Sequence, residues 1–239
     1  GSKVRLKTLI KNELKAVAKE YGDARRSEIA VEEEAVAYLD EDLISNDPVT
    51  VIMSDKGWIR SAKGHETDPE DLAYRPGDSF AGAVRTRLNE NCVFFDSTGR
   101  AYTLQSRTLP SARGQGEPLT GRLNPPPEAR FVGLAAGDVR VLLGSEAGYG
   151  FVGSLREMVT KNRSGKAVLN VPEGSVALRP SIVVEDTLVA VITNTGRLLV
   201  FELSQVPELN RGKGSKLMNI PTASLKTREE YVIGLTTFG

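Results

Sequence analysis

The feature that most constrains this chain is a fourfold internal repeat. Each unit contains a short apolar run, a polar turn that ends in glycine, and a second apolar run. The turn glycines are Gly57, Gly99, Gly148 and Gly196. Repetition at a period of roughly 40–50 residues is typical of arrays in which each unit covers the hydrophobic faces of its neighbours.

Each unit predicts a β-hairpin, because the apolar runs are four to five residues long and rich in Val, Ile, Leu and Phe. Each turn glycine stands where a hairpin requires positive φ. A second glycine follows later in each unit, at Gly77, Gly114, Gly165 and Gly212. Another strand candidate comes after each of these, at 80–84, 118–123, 167–171 and 217–220. A unit therefore has room for about four strands, which predicts an all-β, propeller-like fold.

The repeats divide the chain into a succession of predicted blades. Their bounds are about 48–88, 89–135, 136–183 and 184–226. The apolar run 231–235 resembles the first strand of a further blade over 227–239, or a strand that closes the ring. Runs such as 197–201 are apolar on both alternating sets, which fits strands covered on both faces.

Charge is unevenly distributed, although 31 Lys and Arg balance 31 Asp and Glu. Residues 1–26 have a net charge of +5, residues 27–55 of −9, and residues 56–239 of +4. The neutral total therefore hides a basic repeat region. We interpret 27–47 as an acidic linker, which is either a solvated surface or a competitor of a polyanion for a basic surface.

The first 26 residues predict a short helix with one apolar stripe. The stripe consists of Leu6, Leu9, Ile10, Leu14 and Val17. Two interpretations stay open: a coiled coil or bundle whose other helix lies outside this sequence, or a helix that docks on the repeat region. The opening Gly-Ser pair resembles a cloning remnant, so we expect an excised segment of a longer protein.

Several classes of function lack the residues that they need. No apolar stretch approaches the length of a membrane span, and the single cysteine, Cys92, excludes an internal disulfide, so we expect a cytoplasmic protein. Cys92 and the single histidine, His65, are too few for a metal centre or for Cys-His catalysis. A nucleotide-binding glycine loop is also missing. We therefore expect no metal, cofactor or catalytic residue in this segment.

Several motifs resemble a known family. Residues 54–65 (SDKGWIRSAKGH) and the end of the first helix, 20–29 (EYGDARRSEI), are similar to the A subunits of bacterial type IIA topoisomerases. Within that group, 96–100 (DSTGR) and 109–121 (LPSARGQGEPLTG) resemble the ParC subunits of topoisomerase IV. The gyrase A subunits have an arginine- and glycine-rich box in the first blade, and the corresponding stretch, 72–78, lacks it.

The resemblance implies a fold and a role for this segment. The fold is a β-pinwheel, in which neighbouring blades exchange strands and DNA binds around the outer rim. The first helix would end the coiled-coil tail of the breakage-reunion domain, and the nucleophilic tyrosine would lie upstream. The segment would select the transported DNA for decatenation and relaxation.

The resemblance also implies properties of the parent enzyme. It would be an ATP-dependent isomerase in the bacterial cytoplasm, associated with the nucleoid. It would contain a homodimer of A subunits and use ATP and Mg²⁺, with the ATPase on the partner ParE subunit.

Basic residues recur at a similar phase of the four units, where the repeat predicts exposed turns, and define the candidate site. They are Arg60 and Lys63 in the first unit, Arg107 and Arg113 in the second, Lys161, Arg163 and Lys166 in the third, and Arg211, Lys213 and Lys216 in the fourth. Glycines between them would let the backbone approach phosphates closely. This pattern predicts binding and bending of double-stranded DNA without sequence specificity. Two alternatives stay open: a gyrase-like DNA-wrapping domain, and a protein-interaction propeller whose basic residues only keep it soluble.

Overall fold

The structure, a computed structural model, describes residues 2–23 and 45–239. Most of the predicted acidic linker, 27–47, lies outside the described residues. The helix and the repeat region belong to separate compact units, so each is described by itself.

The predicted N-terminal helix is confirmed as α1 (Lys3–Tyr21). The backbone N–H of Gly22 donates to the Ala18 carbonyl oxygen at 3.0 Å and ends the helix. No residue of α1 is buried, and Leu6 and Leu14 in the apolar stripe are about three-fifths exposed.

The repeat region consists of short antiparallel strands. They are β1 (Pro48–Ser54), β2 (Trp58–Lys63), β3 (Phe80–Arg87), β4 (Asn91–Asp96), β5 (Arg100–Gln105), β6 (Glu117–Pro118), β7 (Phe131–Ala136), β8 (Arg140–Gly144), β9 (Tyr149–Ser154), β10 (Lys166–Ala167), β11 (Ser181–Val183), β12 (Leu188–Thr193), β13 (Leu198–Glu202), β14 (Ser215–Lys216) and β15 (Val232–Phe238). Two short helices, α2 (Leu155–Met158) and α3 (Thr222–Lys226), interrupt them.

The strands form four sheets, which are the blades of the propeller. Their orders are β3-β1-β2-β6, β10-β5-β4-β7, β11-β8-β9-β14 and β13-β12-β15. In the first three blades the outermost strand, β6, β10 or β14, comes from the next unit along the chain. This exchange confirms the expected β-pinwheel. The fourth blade has no such outer strand among the described residues. The expectation that 197–201 is covered on both faces was therefore wrong: Leu198 in the edge strand β13 is 60% exposed.

The four hairpin turns use the same chemistry. Gly57, Gly99, Gly148 and Gly196 have φ between 75° and 85°, as predicted. Each glycine N–H donates to the carbonyl oxygen three residues earlier, which belongs to Ser54, Asp96, Ser145 or Thr193. The side chains of these four residues also bond within the turn, as in the bond from Arg100 N–H to Asp96 Oδ1 at 3.0 Å. The turn sequence therefore specifies the hairpin locally.

The third strand of each unit lies innermost in its blade. Strand β3 packs against β7, and β11 packs against β15. Each of these strands contributes at least one residue to the lining of a central cavity of about 430 Å³, among them Ala83, Leu134, Ile182 and Leu235. The core lies between the blades, and large side chains such as Phe94 and Phe151 are fully buried there.

The expectation that 227–239 begins a further blade was wrong. Strand β15 pairs with β12 in the fourth blade, with Val189 opposite Thr237 and Ile192 opposite Gly234. It is the counterpart of β3, β7 and β11. A short apolar run has the same pattern in any strand, so the sequence does not indicate its partner.

The strand candidates after the second glycines have two different fates. In the first unit the candidate at 80–84 is part of β3, the innermost strand of its own blade. In the other three units the candidates follow or overlap β6, β10 and β14, which are only two residues long and join the preceding blade. These segments have the same sequence pattern, but the structure assigns them to different positions in the blades.

Candidate nucleic-acid interface

Three segments each connect the hairpin of one unit with the innermost strand of the same unit. Between these two points each contributes a short strand to the preceding blade, so we call them exchanged segments. They are residues 106–130, 155–180 and 203–231, and they contain β6, β10 and β14. Their net charges are +2, +3 and +2. Each segment therefore brings positive charge to the outer edge of a blade.

A glycine and an apolar residue three positions later anchor each exchanged segment. The pairs are Gly116 with Leu119, Gly165 with Val168, and Gly214 with Leu217. All three glycines have φ between 71° and 82°. A β-carbon on Gly116 would collide with the Ile59 carbonyl oxygen, and one on Gly214 with that of Gly150. Only glycine allows the segment to approach the neighbouring strand this closely.

The apolar anchors are buried, and their backbones bond to the hairpin glycines. Leu119, Val168 and Leu217 are at most 6% exposed. Their N–H groups donate to the carbonyl oxygens of Gly57, Gly99 and Gly148 at 2.8 to 3.0 Å. The backbone of each exchanged segment is thus fixed at both its glycine and its anchor.

Nine of the ten predicted cations are exposed, and eight of them lie on the exchanged segments. The eight are Arg107, Arg113, Lys161, Arg163, Lys166, Arg211, Lys213 and Lys216. Arg113 precedes β6, Arg163 precedes β10 and Arg211 precedes β14. The structure therefore places one group of cations beside the outermost strand of each of the first three blades. Lys63 is exposed at the end of β2.

Several of these cations are positioned by neutral partners. Arg163 Nε donates to the Arg122 carbonyl oxygen at 2.8 Å, and Lys166 Nζ donates to that of Glu157 at 2.6 Å. Arg107 donates two bonds to Gln105 Oε1 at 3.2 Å. Because these acceptors are uncharged, the cations keep their positive charge for a polyanion.

The expectation that Arg60 lies in an exposed turn was wrong. The residue is in strand β2 and is 5% exposed. Its guanidinium lies 4.6 Å from the ring centre of Tyr74, and Nη1 donates to the Gly114 carbonyl oxygen at 3.4 Å. Nη2 is buried without a partner. Arg60 thus joins the loop after β2 to an exchanged segment, and its guanidinium is not available to a phosphate.

The first unit has no exchanged segment. Its loop between β2 and β3, residues 64–79, has a net charge of −4. The loop folds onto the first blade, where Thr50 Oγ1 donates to the Gly64 carbonyl oxygen at 2.8 Å. The guanidinium of Arg75 lies 3.6 Å from the Trp58 ring centre. These contacts hold the loop against strands β1 and β2 of the first blade.

Asp78 fixes the end of this loop to the hairpin turn. Its Oδ1 accepts the N–H groups of Lys56 at 3.0 Å and Ser79 at 2.9 Å. Partial burial would raise the pKa of Asp78. The hydrogen bonds from Ser54, Lys56 and Ser79 and the charge of Lys56 outweigh burial and lower this pKa below its usual value.

In the first three blades the residue after the hairpin glycine also contacts the incoming segment, which the sequence analysis missed. Arg100 donates to the carbonyl oxygens of Ser164 at 2.9 Å and Gly165 at 3.3 Å. Tyr149 lies beneath Lys213, whose Nζ is 3.7 Å from the ring centre. The signal that could have revealed them is their constant position, one residue after the turn glycine.

Within 2–23 and 45–239, no group of three His, Cys, Asp or Glu side chains could hold a metal ion. Cys92 is fully buried, and burial raises the pKa of its thiol. His65 Nε2 lies 3.0 Å from the Thr86 carbonyl oxygen. Cys92 is thus a core residue, and His65 contacts the backbone of a neighbouring strand.

The described part of the chain contains no helix that is both long enough and apolar enough to cross a membrane.

Comparison with known proteins finds relatives that are similar to this chain over almost its whole length. The chain is 48% identical over 239 residues to the A subunit of DNA topoisomerase 4 from Pseudomonas aeruginosa, covering 98% of this chain and 32% of that protein. It is 45% identical over 234 residues to the same subunit from Escherichia coli K12, covering 96% and 31%. The chain thus spans about a third of the length of the curated relatives it matches.

Solved structures and a family profile agree with these relatives. The Escherichia coli ParC C-terminal domain matches with a TM-score of 0.73 and 44% identity, over 80% of this chain and 79% of that chain. The gyrase A C-terminal domain is similar in fold alone, with a TM-score of 0.55 and 13% identity, over 80% and 65%. The profile described as "DNA gyrase C-terminal domain, beta-propeller" matches residues 187–237.

Proposed function

Because this chain belongs to the family of ParC C-terminal domains, from the A subunits of topoisomerase IV, we propose that it binds duplex DNA along its outer edge. The observation that supports this most strongly is the recurrence of exposed cations on three exchanged segments. Each segment is anchored in the same way, and Arg113, Arg163 and Arg211 each lie two or three residues before the anchoring glycine. A row of such groups suits the regularly spaced phosphates of a duplex.

The binding is independent of sequence. Lysine and arginine side chains between glycines contact phosphates, which have the same charge at every base pair. The outer edges of successive blades follow a curve, so the duplex bends to stay in contact with them. Bends of about 40–90° cost on the order of 1–6 kcal/mol, which added phosphate contacts offset.

In the intact enzyme this chain selects the transported DNA segment for decatenation and relaxation. The catalytic residues belong to other parts of an ATP-dependent isomerase, which uses ATP and Mg²⁺, while this chain needs no cofactor. Its partners there are a second A subunit and the ParE subunit. The enzyme works in the bacterial cytoplasm on nucleoid DNA.

The first blade supports this role over gyrase-like wrapping. Its loop 64–79 has one Arg or Lys and five Asp or Glu, and stretch 72–78 lacks the arginine- and glycine-rich box of the gyrase A subunits. A supercoiling assay on the full-length enzyme tests this distinction. We expect relaxation and decatenation without introduction of negative supercoils.

A gel-shift salt series on random-sequence duplex DNA tests the binding itself. If about six phosphates are neutralised, the slope of log K against log salt concentration is roughly −5. Arg211→Glu should weaken binding about tenfold at moderate salt, and Arg163→Glu similarly. Arg85→Glu is the matched control, because Arg85 is exposed on the innermost strand β3 and the substitution changes charge equally. Equal losses in all three variants, or no binding by the wild type, would contradict the proposal and favour a protein-interaction propeller.

A further inference from the structure

The third blade has an aromatic ring beneath two of the exposed lysines. Lys213 Nζ lies 3.7 Å and Lys216 Nζ 5.7 Å from the centre of the Tyr149 ring. Both lysines belong to the segment that supplies β14, whereas Tyr149 begins β9 of the receiving blade. The contact therefore crosses from one unit to the next.

The positions of these groups follow from the strand exchange. Lys216 pairs directly with Tyr149 between β14 and β9, so the two side chains lie on the same face of the sheet. Gly214 lets the segment approach Gly150 closely, and Leu217 is buried beyond it. The Tyr149 ring packs against the cluster that contains Leu217 and Met218. The ring is thus held by the core on one side and meets the lysines on the other.

The lysines would otherwise be mobile. Both are exposed, and a free lysine side chain loses much rotamer freedom when it is fixed against a phosphate. A cation over an aromatic face is attracted to the ring without loss of its charge. Lys216 is restrained further, because its Nζ donates to Asn219 Oδ1 at 3.0 Å.

The corresponding positions in the other blades are occupied differently. Arg100 and Arg197 are themselves cations. Arg100 donates to the Ser164 carbonyl oxygen of the incoming segment, whereas Arg197 donates to the Asn219 carbonyl oxygen of its own unit's segment. Trp58 is aromatic, but Arg75 of its own unit covers it. Among the described residues, Tyr149 is the one aromatic at this position that meets cations of an exchanged segment.

We infer that Tyr149 is a positioning residue for DNA binding, which preorganises the ammonium groups of Lys213 and Lys216 at the outer edge of the third blade. The inference rests on the proposed function. The ring restrains the two cations before the duplex arrives, so less conformational freedom is lost when they meet phosphates.

Substitutions at Tyr149 in the full chain, tested by binding to random-sequence duplex DNA, provide the experiment. Tyr149→Phe retains the ring and should bind like the wild type. Tyr149→Leu retains apolar packing but removes the aromatic face, and should bind roughly 2- to 5-fold more weakly. Thermal unfolding of both variants identifies any general loss of structure.

A double-mutant cycle separates positioning from a merely structural role. Lys213→Ala should weaken binding and reduce the salt slope by about 1 in the wild-type background. In the Tyr149→Leu background the same change should cost less than half as much, because the lysine is no longer preorganised. Additive losses, or tighter binding by Tyr149→Leu, would overturn the inference. If the wild-type chain binds no duplex, the proposed function itself fails, which is a separate result.

Discussion

The loop of the first unit and the three exchanged segments occupy the same place in the repeat but pack on different blades. Residues 64–79 fold back on their own blade, whereas 106–130, 155–180 and 203–231 cross to the preceding one. The loop is also shorter than any of the exchanged segments. Among the described residues no blade precedes the first unit, and its shorter loop, which we call the capping loop, packs on β1 and β2 instead. Terminal units of repeat proteins commonly have such capping roles.

The two kinds of segment also differ in charge. The loop has a net charge of −4, and the exchanged segments have +2, +3 and +2. The exchanged segments therefore place basic residues along the outer edge of the first three blades, which we call the basic edge. The capping loop, in contrast, is acidic. The exchanged segments, rather than the hairpins of the blades, therefore bring the predicted cations other than Arg60 and Lys63 to the edge.

The largest expected effect comes from the glycines that permit exchange. Gly214→Ala should destabilise the chain by about 2–4 kcal/mol, because the new methyl group collides with the Gly150 carbonyl oxygen at a positive φ. For a domain of this size, the melting temperature should fall by roughly 4–16 °C. Gly77→Ala in the capping loop is the matched control. Gly77 also has a positive φ of 72°, but the atom nearest to the new methyl group is the flexible Lys56 Nζ at 3.5 Å, so about 1 kcal/mol is expected. Equal losses of stability in the two variants would contradict a special role of Gly214 in strand exchange.

A substitution at Arg60 tests the contact between the capping loop and the first exchanged segment. Arg60→Ala removes contacts to Tyr74 in the capping loop and to Gly114 in an exchanged segment. We expect a loss of roughly 1–3 kcal/mol in chemical denaturation, since a buried side chain is truncated. The salt slope of DNA binding should not change, because the guanidinium does not reach the surface. Lys63→Ala, further along the same strand, should leave stability within about 0.5 kcal/mol.

Neutralising the capping loop tests whether its negative charge opposes DNA binding at the neighbouring basic residues. The triple variant Glu66→Gln, Glu70→Gln and Asp71→Asn removes three exposed negative charges. Duplex DNA should bind roughly 2- to 5-fold more tightly at about 50 mM salt, because repulsion next to the basic edge is reduced. The gain should nearly vanish at about 0.3 M salt, where screening dominates. An unchanged affinity at low salt would mean that the loop lies away from the path of the DNA.

The smallest effect concerns acid stability. The pKa of Asp78 is lower in the folded chain than the ordinary value of 3.8, so the ionised carboxylate stabilises the fold above about pH 4. That contribution is lost as the pH falls through the folded pKa. The melting-temperature difference between wild type and Asp78→Asn should therefore narrow from pH 7 to pH 3. A difference that widens on acidification would contradict the assigned hydrogen bonds.

Much of the architecture could be predicted because it depends on local sequence. The turn glycines, the Ser, Thr or Asp three residues before each, and the apolar runs specify hairpins without reference to the rest of the chain. The pattern of glycine followed three residues later by Leu119, Val168 or Leu217 was also available, but Phe80 follows Gly77 at the same spacing. The same local signal therefore precedes an exchanged strand in three units and an innermost strand in the first.

Arg60 illustrates the limit for the candidate site. An arginine just after a hairpin turn is expected at the surface, but Arg60 is buried beside Tyr74 of 64–79 and Gly114 of an exchanged segment. The eight cations of the exchanged segments were found correctly as exposed residues because they lie in glycine-rich connections.

The order of the residues determines the repeat period, the hairpins and the segregation of charge, because turns and charges act over a few positions. The tertiary structure alone decides the partner of each strand, the single blade shared by β12 and β15, and the contact of Tyr149 with Lys213. These arise from pairing between residues far apart in the chain, where a period-two pattern is the same for every possible partner and the packing of whole blades selects among them.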